Sequence, residues 1–409
     1  MATIKPFRAL RPNPLYVGKL VFTAPQVESV AWETYATGKS ASLKEQLENA
    51  ARVRPETQAG QQLAYSAIKQ TLNNLIESAQ LYRELRAGIY VYEIAMSGYR
   101  QIGIWALTDL NDYIQGKIKT HEQTLTDSVR RICNYREHTG LEGNPILLTY
   151  SPSMSINRII AQTIKNDNKV TLSSRDGSHS IWKIEDKSIQ RQLIKAFAAI
   201  KTVYLADGHH RLSAAAKLLV AQREENAPVF DTISSLYIAT DQLRLQEYDR
   251  AVLLESPFQK EMLFEKLSTH FSIEPSNSKT PVQPRRAHRI GMYAFQQWFY
   301  LTPRKTIAGN SVAATIDASI LQEQLLKPIF GITNPQTDPR LKCLGGEKAP
   351  KEIIQLINAY PEVIIFTLYP LEITQLVTVA EAGEILPPKS TWIDPKVPYG
   401  LLMQWHKPV

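Results

Sequence analysis

Asp207-Gly208-His209-His210-Arg211 holds the densest chemistry in the chain. It lies between an apolar run, Thr202 to Ala206, and an alanine- and leucine-rich run, Leu212 to Arg223. That order predicts a strand, a turn and a helix. The first N–H groups of a helix have no partners within it, and the dipole adds partial positive charge, so such a turn favours phosphate. Gly208 tolerates a left-handed backbone and lets a ligand come close. Arg211 offers a planar fork to phosphate oxygens. His209 and His210 can donate hydrogen bonds or shuttle a proton near neutral pH. Asp207 can orient a histidine or hold a metal ion that bridges phosphates. The plainer alternative is that Asp207 caps the helix and the histidines face solvent. Zinc fits poorly, because adjacent histidines rarely converge on one ion and no cysteine is near.

Three further clusters carry reactive types. In Lys117 to Thr124, His121 and Glu122 could form an acid/base pair or supply a metal ligand; alternatively Thr120 and Gln123 form a capping box. Pro387-Pro388-Lys389-Ser390-Thr391-Trp392 places Lys389, Ser390 and Thr391 where they could contact phosphate, or is a rigid surface turn. It has none of the glycines of a P-loop, and no P-loop occurs elsewhere. Asp338-Pro339-Arg340 with Gly345-Gly346 reads better as an ordinary turn than as a carboxylate site.

These groups must be held by a chain of 409 residues, 44% hydrophobic and 21% charged, long enough for two or more cores. No apolar run of about 18 residues occurs, so no membrane span is expected. The start of the chain has no secretory-type apolar region, and Cys133 and Cys343 make no disulfide framework. A soluble cytoplasmic protein is the expectation. The net charge of +8 favours anionic partners, either phosphorylated metabolites or nucleic acid. It is spread out, with one local run at Arg285, Arg286, His288 and Arg289, so a solvated surface is favoured over a nucleic-acid footprint.

Periodicity predicts a helix over 61–81, with Leu63, Ala67, Leu75, Ile76 and Ala79 on its apolar face. Ile89–Ile94 and Gln101–Leu107 flank Ser97-Gly98 as a hairpin, and Val170–Leu172 and Ser180–Ile184 flank Arg175–Ser178 as a second. Further strands are expected at 146–150, 234–240, 289–295, 298–301 and 362–368. Helices are expected at 155–164, 317–326, 351–359 and 371–382, and one after an Asp186 cap carries Ile189, Leu193, Ile194 and Phe197. The proline-punctuated stretch 275–284 reads as a loop. Strands and helices do not alternate cleanly, so the fold class is mixed α/β and not a plain doubly wound sheet. The expected division is 1–245 and 246–409, the latter a mixed α/β region carrying the Pro387–Trp392 loop.

Tyr204 to Arg211 resembles the signature of domain-of-unknown-function family ten-fifteen. So do Lys5 to Pro12, Arg54-Pro55-Glu56, Tyr90-Val91-Tyr92-Glu93, Lys119 to Thr124, and Pro387 to Trp392 with Pro395-Lys396, in the family's order. Where that family carries Pro-Pro-Tyr-Asp, this chain has Thr23-Ala24-Pro25-Gln26-Val27, a departure that points to altered or lost activity if the missing pair touches ligand. The Asp-Gly-His-x-Arg element is also similar to one in the ParB/sulfiredoxin-like superfamily, where the turn binds nucleotide phosphates. The resemblance implies a ParB/sulfiredoxin-like core around Asp207–Arg211 and phosphoryl transfer, closest to the free-serine kinases. Sulfiredoxin chemistry is disfavoured, since the turn has no cysteine.

The expectation is a nucleotide-dependent phosphotransferase using ATP or ADP with Mg²⁺ on a small hydroxylated metabolite, with a free amino acid such as serine suggested by resemblance alone. Gly208 and the following amides, with Asp207, His209, His210, Arg211 and the Lys389–Thr391 loop, would hold the nucleotide. Arg211 and a histidine would neutralise the transferred group, Glu122 with His121 would handle the acceptor proton, and Asp207 would bind metal. The alternative is a nucleotide-binding regulatory or DNA-associated ParB-like protein without turnover. No helix-turn-helix or aromatic RNA-binding signature supports nucleic acid.

Overall fold

Alternation and turn chemistry build the centre of the first region. Ile89–Met96 and Tyr99–Asp109 pair as an antiparallel hairpin around Gly98, whose φ is +74°. Gly177–Ile184 pairs on the far side of Ile89–Met96 and with Lys169–Ser174, the second hairpin expected from sequence. The computed structural model describes residues 2–21, 41–51, 57–96, 98–174, 177–225, 230–254, 258–304, 311–393 and 396–406. Ser97, Arg175, Asp176, Thr23–Val27, Arg54–Glu56 and Pro395 lie outside the described residues.

The chain is a mixed α/β protein of two compact units. The first comprises Met1–Lys119, Thr124–Gln242 and Pro395–Val409; the second comprises Thr120–Gln123 and Leu243–Asp394. In the first, β1 (Ile4–Lys5), β2 (Ile89–Met96), β3 (Tyr99–Asp109), β4 (Ile118–Lys119), β5 (Ile146–Tyr150), β6 (Lys169–Ser174), β7 (Gly177–Ile184), β8 (Val203–Asp207) and β9 (Thr232–Ala239) form one sheet. Its order is β4-β8-β5-β9-β3-β2-β7-β6, with β1 on β3. Parallel pairs (β4 with β8, β5 with β9) sit among antiparallel ones, which is why no clean strand–helix alternation is visible in the sequence.

The first unit's longer helices include α1 (Gln58–Glu77), α2 (Thr126–Thr139), α3 (Met154–Thr163), α4 (Lys187–Ala198) and α5 (His209–Glu224). Asp186 caps α4 as expected, accepting from the N–H groups of Ser188 and Ile189. Leu193 and Phe197 are buried there, whereas Ile189 is exposed. On α1 the buried stripe is Ala64, Ile68, Leu72 and Leu75, so Leu63, at 60% exposure, is not on the core face. That stripe packs with Leu10, Leu81, Leu141, Met403 and Trp405, joining N-terminal and C-terminal segments in one core. The larger core puts Ile146, Leu148, Leu205, Leu212, Ala215 and Leu219 under β8 and α5. Phe197 packs between Tyr150 and Tyr237 at ring distances of 5.4 and 4.9 Å.

The second unit holds a six-stranded sheet of β10 (Tyr248–Val252), β11 (Phe271–Ser276), β12 (Ile290–Ala294), β13 (Gln297–Pro303), β14 (Leu341–Gly345) and β15 (Ile364–Thr367), in the order β11-β13-β12-β15-β10-β14. Helices α6 (Lys260–Ser268), α7 (Asp317–Leu321), α8 (Ala349–Ala359) and α9 (Ile373–Glu381) accompany it. The helical stretch expected over 317–326 is present but passes into π geometry at Gln322–Leu326. Among the described residues no helix is long and apolar enough to cross a membrane.

Candidate anion-binding site

The turn after β8 begins with an irregularity. The register of β8 against β5 shifts between Leu205 and Asp207, a bulge that re-aims the last strand residue. Gly208 follows in the left-handed region, φ +99°. A Cβ there would lie 2.8 Å from Ile146 Cγ2 and 3.0 Å from Arg211 Nη2, so glycine is required on both conformational and steric grounds. Helix α5 then starts at His209, three residues earlier than its apolar run predicts. The histidines therefore occupy the helix's first turn, which contains no acidic residue, and no side chain caps it. Ordinary capping by Asp207 is excluded by that geometry.

The side chains divide their work. His209 is buried. His210 Nε2 accepts the Leu125 N–H at 3.0 Å, so that nitrogen carries a lone pair and the ring orders the chain leading into α2. Arg211 does not present an open fork. Its Nη1 donates to the carbonyls of Asn144 (3.1 Å) and Pro145, and its Nη2 to Asp207 Oδ2 at 2.8 Å. Asp207 Oδ1 receives Lys396 Nζ at 3.0 Å. Burial pushes the Asp207 carboxyl up, but Lys396, Arg211 and His209 outweigh it and hold the group below the ordinary carboxylate range. Both side-chain oxygens face cations, so a Mg²⁺ ion is a poor fit for Asp207 as it stands. The carboxylate's task here is to hold two positive side chains.

Lys396 is the residue that sequence reasoning missed. It belongs to the C-terminal segment, 189 positions from Asp207, and appeared only as part of a family pattern. Its placement rests on that segment's anchors. Met403 exchanges main-chain bonds with Leu10, and Trp405 Nε1 donates to Thr139 O at 3.1 Å. The His406 carbonyl occupies the space a Cβ on Gly140 would fill, and Tyr399 presses against Gly143 in the same way. The segment thus packs on Gly140–Gly143, immediately before the Asn144 and Pro145 carbonyls that hold Arg211. Nearby, buried Glu142 accepts from Arg136 and from the Ser234 N–H, with His406 Nε2 at 3.1 Å. Burial raises the Glu142 carboxyl, yet Arg136 and His406 bring it below its ordinary value.

The other sequence candidates lie in the second unit. His121 is buried, its carbonyl accepts the Leu386 N–H at 2.8 Å, and Glu122 bridges Leu386 in parallel register. Helix α2 starts at Thr126 after an N-cap, Leu125, that makes no side-chain bond, so no Thr120–Gln123 capping box forms. In the Pro387–Trp392 loop, Lys389 is left-handed (φ +65°) and Ser390 turns inward, donating to Pro387 O at 2.6 Å. Arg250 clamps the Lys389 carbonyl at 2.7 Å, and the Trp392 indole fills the space beside Gly345 and Gly346. Asp338 is an ordinary turn residue, bonded by Arg340 through its N–H, Nε and Nη2. Arg289 of the basic run pairs with Glu274 and stacks over Tyr300 at 3.9 Å.

A family model described as protein of unknown function (DUF1015) matches residues 4–325. No curated relative matches the sequence. Among solved structures, a free serine kinase variant in complex with ADP aligns at 10% identity and TM-score 0.39, covering 73% of this chain and 92% of that one. A conserved hypothetical protein from Pyrococcus furiosus aligns at 11% identity and TM-score 0.39, over 73% and 94%. SbnI with a C-terminal truncation, from Staphylococcus aureus, aligns at 12% and 0.39, over 73% and 87%. Likeness of this size carries no chemistry across to this chain.

Proposed function

The chain belongs to the DUF1015 family, and from that premise we propose that its first unit binds the phosphate chain of a nucleotide at Asp207–Arg211 and that the protein transfers phosphoryl groups to a small hydroxylated metabolite. The observation that carries this reading is the left-handed Gly208 at the mouth of the uncapped helix α5, with Lys396 and Arg211 gathered on Asp207 beside it. Main-chain N–H groups and two cations at one turn supply what a phosphate needs.

The roles differ from residue to residue. Arg211, tied to two carbonyls and Asp207, is a fixed positive charge that shapes the turn. Lys396 is half-exposed and has a long flexible stem, so it can turn from Asp207 to a phosphate oxygen. Gly208 lets Ile146 and the Arg211 guanidinium close against the backbone of the turn and supplies its left-handed bend. Phosphoryl transfer depends above all on positioning and charge stabilisation, which this arrangement can supply without covalent chemistry. The acceptor, including a free amino acid such as serine, and the choice of ATP or ADP belong to the same proposal. A second reading, nucleotide binding without turnover, draws on one observation: the donors of Arg211 described above all go to protein groups.

Calorimetric titration with ATP and ADP, followed by nucleotide consumption over a panel of amino acids and sugars, tests both. Binding together with turnover of at least one acceptor is the expected result. Binding with no turnover on any acceptor leaves only the second reading, and absence of binding overturns both.

A further inference from the structure

The second unit contains a small cavity with a different chemistry. It measures about 20 Å³, room for one water or one ammonium group, and it opens toward solvent. Ile316, Leu368 and Leu371 give it apolar walls, Tyr248 and Ser390 face it, and Asp317 lines it. Asp317 is only 5% exposed. Its Oδ1 accepts the His288 N–H at 2.8 Å, and the Tyr369 N–H faces the same carboxyl. Its Oδ2 is buried without a hydrogen-bonding partner. Among the described residues no lysine or arginine lines the cavity. Arg250 stacks over the Tyr248 ring at 5.1 Å, but its guanidinium is spent on the carbonyls of Tyr248 and Lys389.

A buried carboxylate with one oxygen unpartnered is costly, and proteins seldom leave one so. Here the carboxylate stands in a cavity the size of an ammonium group, next to an aromatic ring and a hydroxyl oxygen. Four separate elements set those groups: the start of β10 brings Tyr248, the start of α7 brings Asp317, the chain after β15 brings Leu368, and the proline turn brings Ser390. The Pro387–Trp392 loop thereby gains a purpose, since Arg250 and Trp392 hold Ser390 in place. We propose that this cavity is a recognition site for the protonated amino group of a small amine, with Asp317 as counter-ion, the Tyr248 ring as cation–π wall and Ser390 Oγ as hydrogen-bond acceptor. Burial also raises the Asp317 carboxyl to about 6, and the main-chain N–H groups of His288 and Tyr369 and the electrostatic contribution of His288 offset it only in part.

The test uses the full-length chain and calorimetric titration at pH 7.5 with n-butylamine and ethanolamine, with n-butanol and butyrate as controls. Saturable binding of the amines alone is expected, weakened at least tenfold in Asp317→Asn and several-fold in Ser390→Ala. Asp317→Asn keeps the acceptor for the His288 N–H, so the fold is retained, and an unchanged circular dichroism spectrum checks this. Amine binding of equal strength in the Asp317→Asn protein, binding of butyrate or butanol in place of amine, or no saturable binding at all would each overturn the assignment and leave a water site. None of these outcomes depends on whether nucleotide binds the first unit.

Discussion

Two carboxylates in the first unit and two in the second behave in opposite ways. In the first unit Glu142 and Asp207 are each held by two positive or donating side chains, and both stay ionised below the ordinary carboxylate range. In the second unit Asp249 and Asp317 are as deeply buried as Glu142, but their partners are mainly main-chain N–H groups, and burial lifts them to about 7 and about 6. Depth alone therefore does not set a carboxyl's behaviour. What decides is whether a lysine or arginine bonds it directly, as Arg136 does Glu142 and as Lys396 and Arg211 do Asp207.

The strongest way to break this contrast is to delete the best-paired member. Glu142→Ala leaves the Arg136 guanidinium buried without its carboxylate and is expected to cost about 3–5 kcal/mol in the first unit. Hydrogen exchange, read separately for each unit, would report it; a loss under about 1 kcal/mol would mean the network contributes little.

The contrast also makes the two units respond oppositely to pH. For Asp249 and Asp317 the folded value lies above the unfolded one, so the folded state holds the extra proton between pH 4 and 7. The second unit should lose stability as pH rises through that window. For Glu142 and Asp207 the folded value is depressed, so the first unit should lose stability only as pH falls below the ordinary carboxylate range. Asp249→Asn retains an acceptor for the Leu368 N–H and should raise second-unit stability at pH 7.5 by about 2–4 kcal/mol while flattening its pH slope. A slope of the same sign in both units would contradict the comparison.

Smaller effects sharpen it. Gly208→Ala forces a side chain into left-handed backbone and against Ile146, costing about 1–2 kcal/mol and weakening ADP binding about tenfold by calorimetry. Lys396→Ala should reduce ADP affinity about three- to tenfold yet change stability by less than about 1 kcal/mol, because its pair with Asp207 is half-exposed. At the bottom of the scale, Arg130→Ala breaks a pair whose side chains are 72% and 85% exposed, and its melting temperature should match that of the parent.

Much of the skeleton was legible in the residues. Both hairpins of the first sheet, the strand Ile146–Tyr150 and the Asp186 cap follow from local pattern and turn chemistry, which act over a few residues. The start of α5 was not, because the polar histidines interrupt the apolar run although the helix already includes them. The face of α1 was legible only in part: Leu75 and Ile76 pack in the core, but Leu63 matches helical spacing and is exposed, because the neighbours lie on the side of Ile68 and Leu72.

At the candidate site, sequence alone determined the turn, its glycine and its charged residues, since a strand followed by glycine and a helix is a local event. Only the tertiary structure decided which cations stand on Asp207, that Arg211 is bound to Asn144 and Pro145, and that no lysine or arginine among the described residues lines the cavity at Asp317. Those facts depend on contacts between residues as many as 189 positions apart, and no spacing along a chain encodes which distant charge arrives beside which carboxylate.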